Sequence, residues 1–127
     1  MKLTVAMAAS KWLVRHAAWI LYRFAKSTEL KTTGFYRIHS RNYMGAVVNL
    51  FEMVLARKPE DAVQGRKTSK WQSRWKLGIW LGKTEMSDEH LLFGDGEVSH
   101  HRVIRRFSAG DPRRWMKEEL QAMRVTP

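Results

Sequence analysis

A chain of 127 residues, 44% hydrophobic and 28% charged, has the length and balance of one globular domain that can form a core unaided. It contains no cysteine, which excludes a disulfide framework and any thiolate metal site and fits a reducing, intracellular compartment. Its 23 Lys/Arg against 12 Asp/Glu leave a net charge of +11, an excess that attracts polyanions such as nucleic acid or an anionic membrane face.

No apolar run approaches the roughly 18 residues of a membrane span. The start, MKLTVAMAAS, offers a Lys and a short apolar run as a secretion signal does. It leads into Lys11, Arg15 and His16 instead of a cleavage region, so a truncated or fused start is at least as good a reading. Residues 8–25 then predict a helix in which Leu13, Ala17, Ile20 and Phe24 form the apolar stripe, widened by Trp12, His16 and Trp19. Ser10 is its candidate cap, and His16 reads as a half-buried core histidine. Residues 26–46 lack periodicity and predict a loop with a short helical turn around Phe35 to His39.

A first strand is predicted over 47–57, and 58–70, with Pro59 and Gly65, is a polar loop. In residues 74–82, Trp75, Leu77, Ile79 and Leu81 alternate with Arg74, Lys76, Gly78 and Trp80, the period of a half-buried strand. That parity turns Trp75 and Leu77 into the core and Trp80 out. A polar turn over Thr84 to Glu89, a strand from His90 to Phe93, a Gly94-Asp95-Gly96 hairpin and a strand from Val98 to Phe107 complete four antiparallel strands. Asp111 followed by Pro112 signals a final helix, with Met116, Leu120 and Met123 as its stripe. The fold class expected is α+β: residues 1–46 as helix and loop, a small SH3-like antiparallel barrel over 47–107, and a C-terminal helix over 108–127.

No catalytic motif emerges. The acids sit almost entirely in turns, where they cannot converge on a pair of metal ions, and no enzyme activity is expected. His90, His100 and His101 do not make a zinc site, because adjacent strand residues point to opposite faces and a fourth ligand is missing. No cofactor is expected, since Gly94 and Gly96 suit a hairpin and no phosphate loop is present. Basic and aromatic residues do interleave: Lys70, Trp71, Arg74, Lys76 and Trp80 in one stretch, Arg102, Arg105 and Arg106 in another. Arg and Lys neutralise phosphates and an exposed indole is a stacking platform, so these eight residues are the candidate nucleic-acid contacts.

Taken in order, KWLVRHAAWILYRF, KTTGFYR, VNLFEMVLAR, RWKLGIWLGKTEMSDEHLLFGDGEV and HRVIRRF resemble the integrase region of Copia-type retrotransposon polyproteins. Lys31, Thr32 and Arg37 correspond to a linking segment of that family, and Trp75, Gly78, Leu81 and Gly82 to its barrel strand. Residues 115–127 are similar to its closing stretch. The chain departs from the pattern at Tyr36, where Glu is usual, and at Leu50-Phe51-Glu52. The resemblance implies the part of a retrotransposon integrase that follows the RNase H-like core, with the catalytic carboxylates falling before Met1. Such a part contacts the backbone of DNA, or of RNA by the same chemistry, in the nucleus. The competing expectation is a basic structural subunit of a larger protein, RNA or membrane assembly, with a protein partner on the apolar face of the N-terminal helix.

Overall fold

The computed structural model describes residues 5–57 and 75–127. It is α+β. Helices α1 (Val5–Phe24) and α2 (Gly34–His39) precede strands β1 (Met53–Arg57), β2 (Trp75–Lys83), β3 (His90–Gly94), β4 (Glu97–His101) and β5 (Ile104–Arg106). A 3₁₀ turn (Pro112–Arg114) and helix α3 (Lys117–Gln121) follow. Among the described residues no helix is long and apolar enough to cross a membrane.

The strands form one open antiparallel sheet of order β4-β3-β2-β1-β5. Its hydrogen bonding does not close into the expected barrel. The single strand expected over Val98 to Phe107 is two. The chain breaks at Arg102 and Val103, so that β4 pairs with β3 and β5 crosses to the free edge of β1. The Val103 carbonyl, accepting the Arg57 N–H at 3.1 Å, anchors the crossing. The first strand is shorter than expected because Phe51 takes a left-handed φ of 68° just before it. That kink still leaves Phe51 and Glu52 bonded to Trp80, N–H to O at 2.9 and 2.8 Å. The Asp95-Gly96 hairpin is as expected, with both central residues at positive φ (54° and 80°), the requirement of the tight turn that matches strand twist.

Both faces of the sheet are covered. Trp12, Met53, Ile79, Leu81, Leu91, Phe93 and Met123 pack on one face, with Met116 and Leu120 of the C-terminal stripe beside them. Val48, Val54, Ala56, Trp80 and Leu92 pack on the other. Helix α1 lies against the far end of β2, where the ladder to β3 slips between Trp80 and Gly82. Gly82 has φ +119°, and a Cβ there would stand 3.2 Å from the Arg15 guanidinium. Arg15 donates to the Lys83 carbonyl at 2.9 Å, and the Trp12 indole donates to the Val125 carbonyl at 2.7 Å.

The buried face of α1 is that of Ala8, Trp12, Trp19 and Arg23, while the stripe residues Leu13, Ala17 and Phe24 are exposed. The helix is apolar on two sides: Trp12 and Trp19, expected only to widen the stripe, are the buried ones, and the centre of the stripe lies on the exposed side. Ser10 does not cap it. It lies inside the helix and donates back to the Ala6 carbonyl at 2.7 Å. Thr33 caps α2 by accepting the Tyr36 N–H at 3.0 Å. Asp111 accepts the Arg113 N–H, but at the start of a single 3₁₀ turn, and α3 is only five residues long.

Candidate nucleic-acid interface

Residues directly opposite in an antiparallel ladder share a face. Leu55 lies opposite Leu77 on one side and Arg105 on the other, and Arg57 lies opposite Trp75. One face at the open end of the sheet therefore carries Arg57, Trp75, Leu77 and Arg105. Trp75 is partly buried, Leu77 is 38% exposed, and Arg57 and Arg105 are exposed. The Arg105 guanidinium lies 4.9 Å from the centre of the Trp75 ring. Among the described residues no acid stands on this patch. The arrangement supplies an indole, two guanidinium groups and an apolar floor, which suits phosphate neutralisation with base stacking alongside.

Of the eight expected contacts, the five that are described do not come together. Lys70, Trp71 and Arg74 lie outside the described residues. Trp80 is corrected: it is fully buried and donates its indole N–H to His90 Nδ1 at 3.0 Å, so no base can stack on it. Alternation failed here because both faces of β2 are packed, and the indole found its partner inside. Leu77, expected in the core, is corrected to the surface, and Trp75, also expected in the core, is only partly buried. Lys76 sits opposite Ala56, on the other face from Trp75. Arg102 is exposed in the link between β4 and β5. Of the five described, Arg105 alone joins the patch. Arg57 and Trp75 are candidate contacts that sequence reasoning missed, and the arginine closing the run VLAR was the available signal.

Arg106 has a different employment. Glu52 is fully buried, and it accepts from Arg106 Nε and Nη2, both at 2.8 Å, and from Arg114 Nε at 3.0 Å. Burial raises the Glu52 carboxyl, but the hydrogen bonds and charges of Arg106 and Arg114 outweigh it and hold its pKa below the ordinary carboxylate value. Removing an arginine would strand a buried charge, so Arg106 is structural in a way a solvated phosphate ligand is not.

His90 and His101 are committed to partners within the sheet, and burial lowers both from the ordinary imidazole value. His90 faces His101 across β3 and β4. Burial, reinforced by Lys83, lowers His90 to about 4. His101 donates from Nδ1 to the Arg57 carbonyl at 3.1 Å and accepts the Ser99 hydroxyl at Nε2, 2.7 Å away. Among the described residues no group of three His, Asp or Glu is placed to hold a metal.

At the far end of α1, Arg23 is 4% exposed and its guanidinium is 4.2 Å from the Trp19 ring and 5.1 Å from Tyr43. Its one ion pair, to Glu85, is loose at 3.6 Å, so ring faces carry much of its stabilisation. A cleft of about 340 Å³ opens beside it, with Arg41 and His39 on the wall and Glu85 and Asp88 opposing them. Asp88 is already held by Lys83 at 3.0 Å and by the Tyr43 hydroxyl. The cleft thus has balanced charge, whereas among the described residues the charges on the Trp75 patch are all basic. Compared with known protein families, curated proteins and solved structures, the chain matches none.

Proposed function

We propose that this chain is a non-catalytic nucleic-acid-binding module that grips the phosphate backbone of DNA, and of RNA by the same chemistry. The observation that carries the reading is the patch of Arg57, Trp75, Leu77 and Arg105 at the open end of the sheet, basic and without an acid among the described residues. The net charge of +11 supplies the long-range attraction. Arg102, exposed in the link between β4 and β5, adds a further positive charge to the surface. Glu52, the one buried acid among the described residues, is taken up by two arginines, which favours a module without chemistry of its own.

An SH3-like barrel is the finer fold reading. β4 and β5 are consecutive yet lie at opposite edges of the sheet, and the His101 ring reaches the Arg57 carbonyl of β1. Both features favour a sheet curled toward closure. Together with the resemblance to Copia-type integrases, they support a module derived from the part of such a protein that follows the catalytic core, working in the nucleus. The competing reading, a structural subunit of an assembly, draws on the exposed apolar side of α1.

Fluorescence anisotropy with random duplex and single-stranded oligonucleotides across a salt series separates the two. Arg57→Ala and Arg105→Ala should each lower the slope of log affinity against log salt by about 0.9, uniformly across sequences. A double variant that folds and binds as tightly as the parent would overturn the reading.

A further inference from the structure

Arg23 is the one buried arginine among the described residues, yet its donors are largely unanswered. Among the described residues no hydrogen-bond partner reaches its Nε or Nη1, and Nη2 has only the Glu85 carboxylate at 3.6 Å. Nε and Nη2 share one edge of a guanidinium, the edge that grips a carboxylate through two parallel N–H bonds. Arg106 presents this edge to Glu52, both bonds at 2.8 Å, and Arg113 presents it to Asp111 at 3.1 and 2.7 Å. In Arg23 the same edge is unfilled, although burial makes an unanswered charge costlier there than on the surface. The Trp19 and Tyr43 rings stabilise the cation, but a ring face does not replace oxygen acceptors along that edge.

We propose that the cleft beside Arg23 binds a small monocarboxylate with an aromatic or apolar body, the carboxylate taking over the Nε–Nη2 edge from Glu85. Arg23 and Glu85 both line this cleft of about 340 Å³, a volume that suits a small molecule. Glu85 is a weak competitor, because its side chain is 59% exposed and can turn to solvent at little cost. Asp88 is already held by Lys83. With that pair counted, the cations Arg23, Arg41 and Lys83 face two carboxylates, and one positive charge is left over. A single carboxylate balances it. A phosphate monoester would bring a second charge against Glu85 and Asp88, and a nucleic-acid strand would bring a row of them. For the body of the ligand, Phe35 and Tyr43 supply ring surface. Met44 and Met86, 86% and 97% exposed, stand at the wall as adaptable thioethers that can close over an apolar group. The cleft shares no residue with the Trp75 patch, so the proposal stands independently of nucleic-acid binding.

Benzoate titrated into the full chain provides the test, read by calorimetry and by the NMR resonance of the Arg23 Nε–H. That resonance should move as benzoate binds, in the millimolar range or tighter. Arg23→Lys keeps the charge and removes the fork, so affinity should fall by more than about tenfold. Arg41→Ala, at an exposed position, should weaken binding by about threefold, and Glu85→Gln, which removes the competitor, should tighten it by a similar factor. If Arg23→Lys unfolds the chain, these two variants and the Nε–H shift decide the matter. Arg105→Ala should change nothing. Phenyl phosphate, with the same ring and a second charge, should bind more weakly, and a random oligonucleotide should not displace benzoate. A motionless Nε–H resonance, an affinity indifferent to Arg41→Ala and Glu85→Gln, tighter binding of phenyl phosphate, or displacement by the oligonucleotide would overturn the proposal. So would a Glu85→Gln chain that loses stability without gaining affinity, because Glu85 would then be the native partner of Arg23.

Discussion

The two halves of β2 follow different rules. Trp75 to Leu77 lie at the open end, partly exposed, with an arginine stacked over the indole. Gly78 to Lys83 are buried without interruption, packed on one face by Trp12 and Met123 and on the other by Val48. Alternation of apolar and polar residues reports a face only where one face is wet. Once helix α1 and the segment before β1 cover the second side, a tryptophan at an outward position becomes core, provided its N–H finds an acceptor. A tryptophan at an inward position near the open end of the sheet is only partly buried.

The comparison is most easily broken at Trp80. Trp80→Ala should cost about 3–5 kcal/mol in urea unfolding, as cavity formation around a large buried ring does, and it also leaves His90 without its donor. A loss below about 1 kcal/mol would place the core of the sheet elsewhere. The next effect is acid sensitivity in the same half. His90 falls from an ordinary 6.5 to about 4, so the folded state prefers it neutral and the unfolded chain takes up the proton first. Stability from this group is complete above about pH 6.5 and drains away as pH drops toward 4, by up to roughly 3 kcal/mol at 1.36 kcal/mol per unit. Protonation would also set an Nδ1–H against the Trp80 N–H. Unfolding followed from pH 7 to 4 should show this slope, and His90→Gln should flatten it. The smallest effect belongs to the open half: Trp75→Ala should change stability by under about 1 kcal/mol yet weaken single-stranded oligonucleotide binding by about 1–3 kcal/mol. A large stability loss with unchanged binding would exchange the roles of the two tryptophans.

What the sequence disclosed was local. The Asp95-Gly96 turn, the short helix at Phe35 to His39 and the Met116, Leu120, Met123 stripe each rest on chemistry within a few residues, and each is present. What it withheld depends on distant partners. Arg106 reads as a free cation until Glu52, 54 positions earlier, is brought to it, and Arg114 meets the same carboxylate across 62 positions. The exchange of Trp75 and Trp80 has the same origin, since it depends on what α1 covers. So does the division of the strand after His101, because the free edge of β1 decides where Ile104 to Arg106 go.

The bond from Arg15 to the Lys83 carbonyl joins residues 68 positions apart, and that from Trp12 to the Val125 carbonyl spans 113. A ribosome makes the helix first and its docking surface last. At about 5–20 residues per second, Arg15 exists for roughly 3–14 s before its acceptor is synthesised, and Trp12 waits longer still. Throughout that interval both apolar sides of α1 are uncovered together, so the nascent chain presents its most adhesive surface before the sheet that will cover half of it has been made.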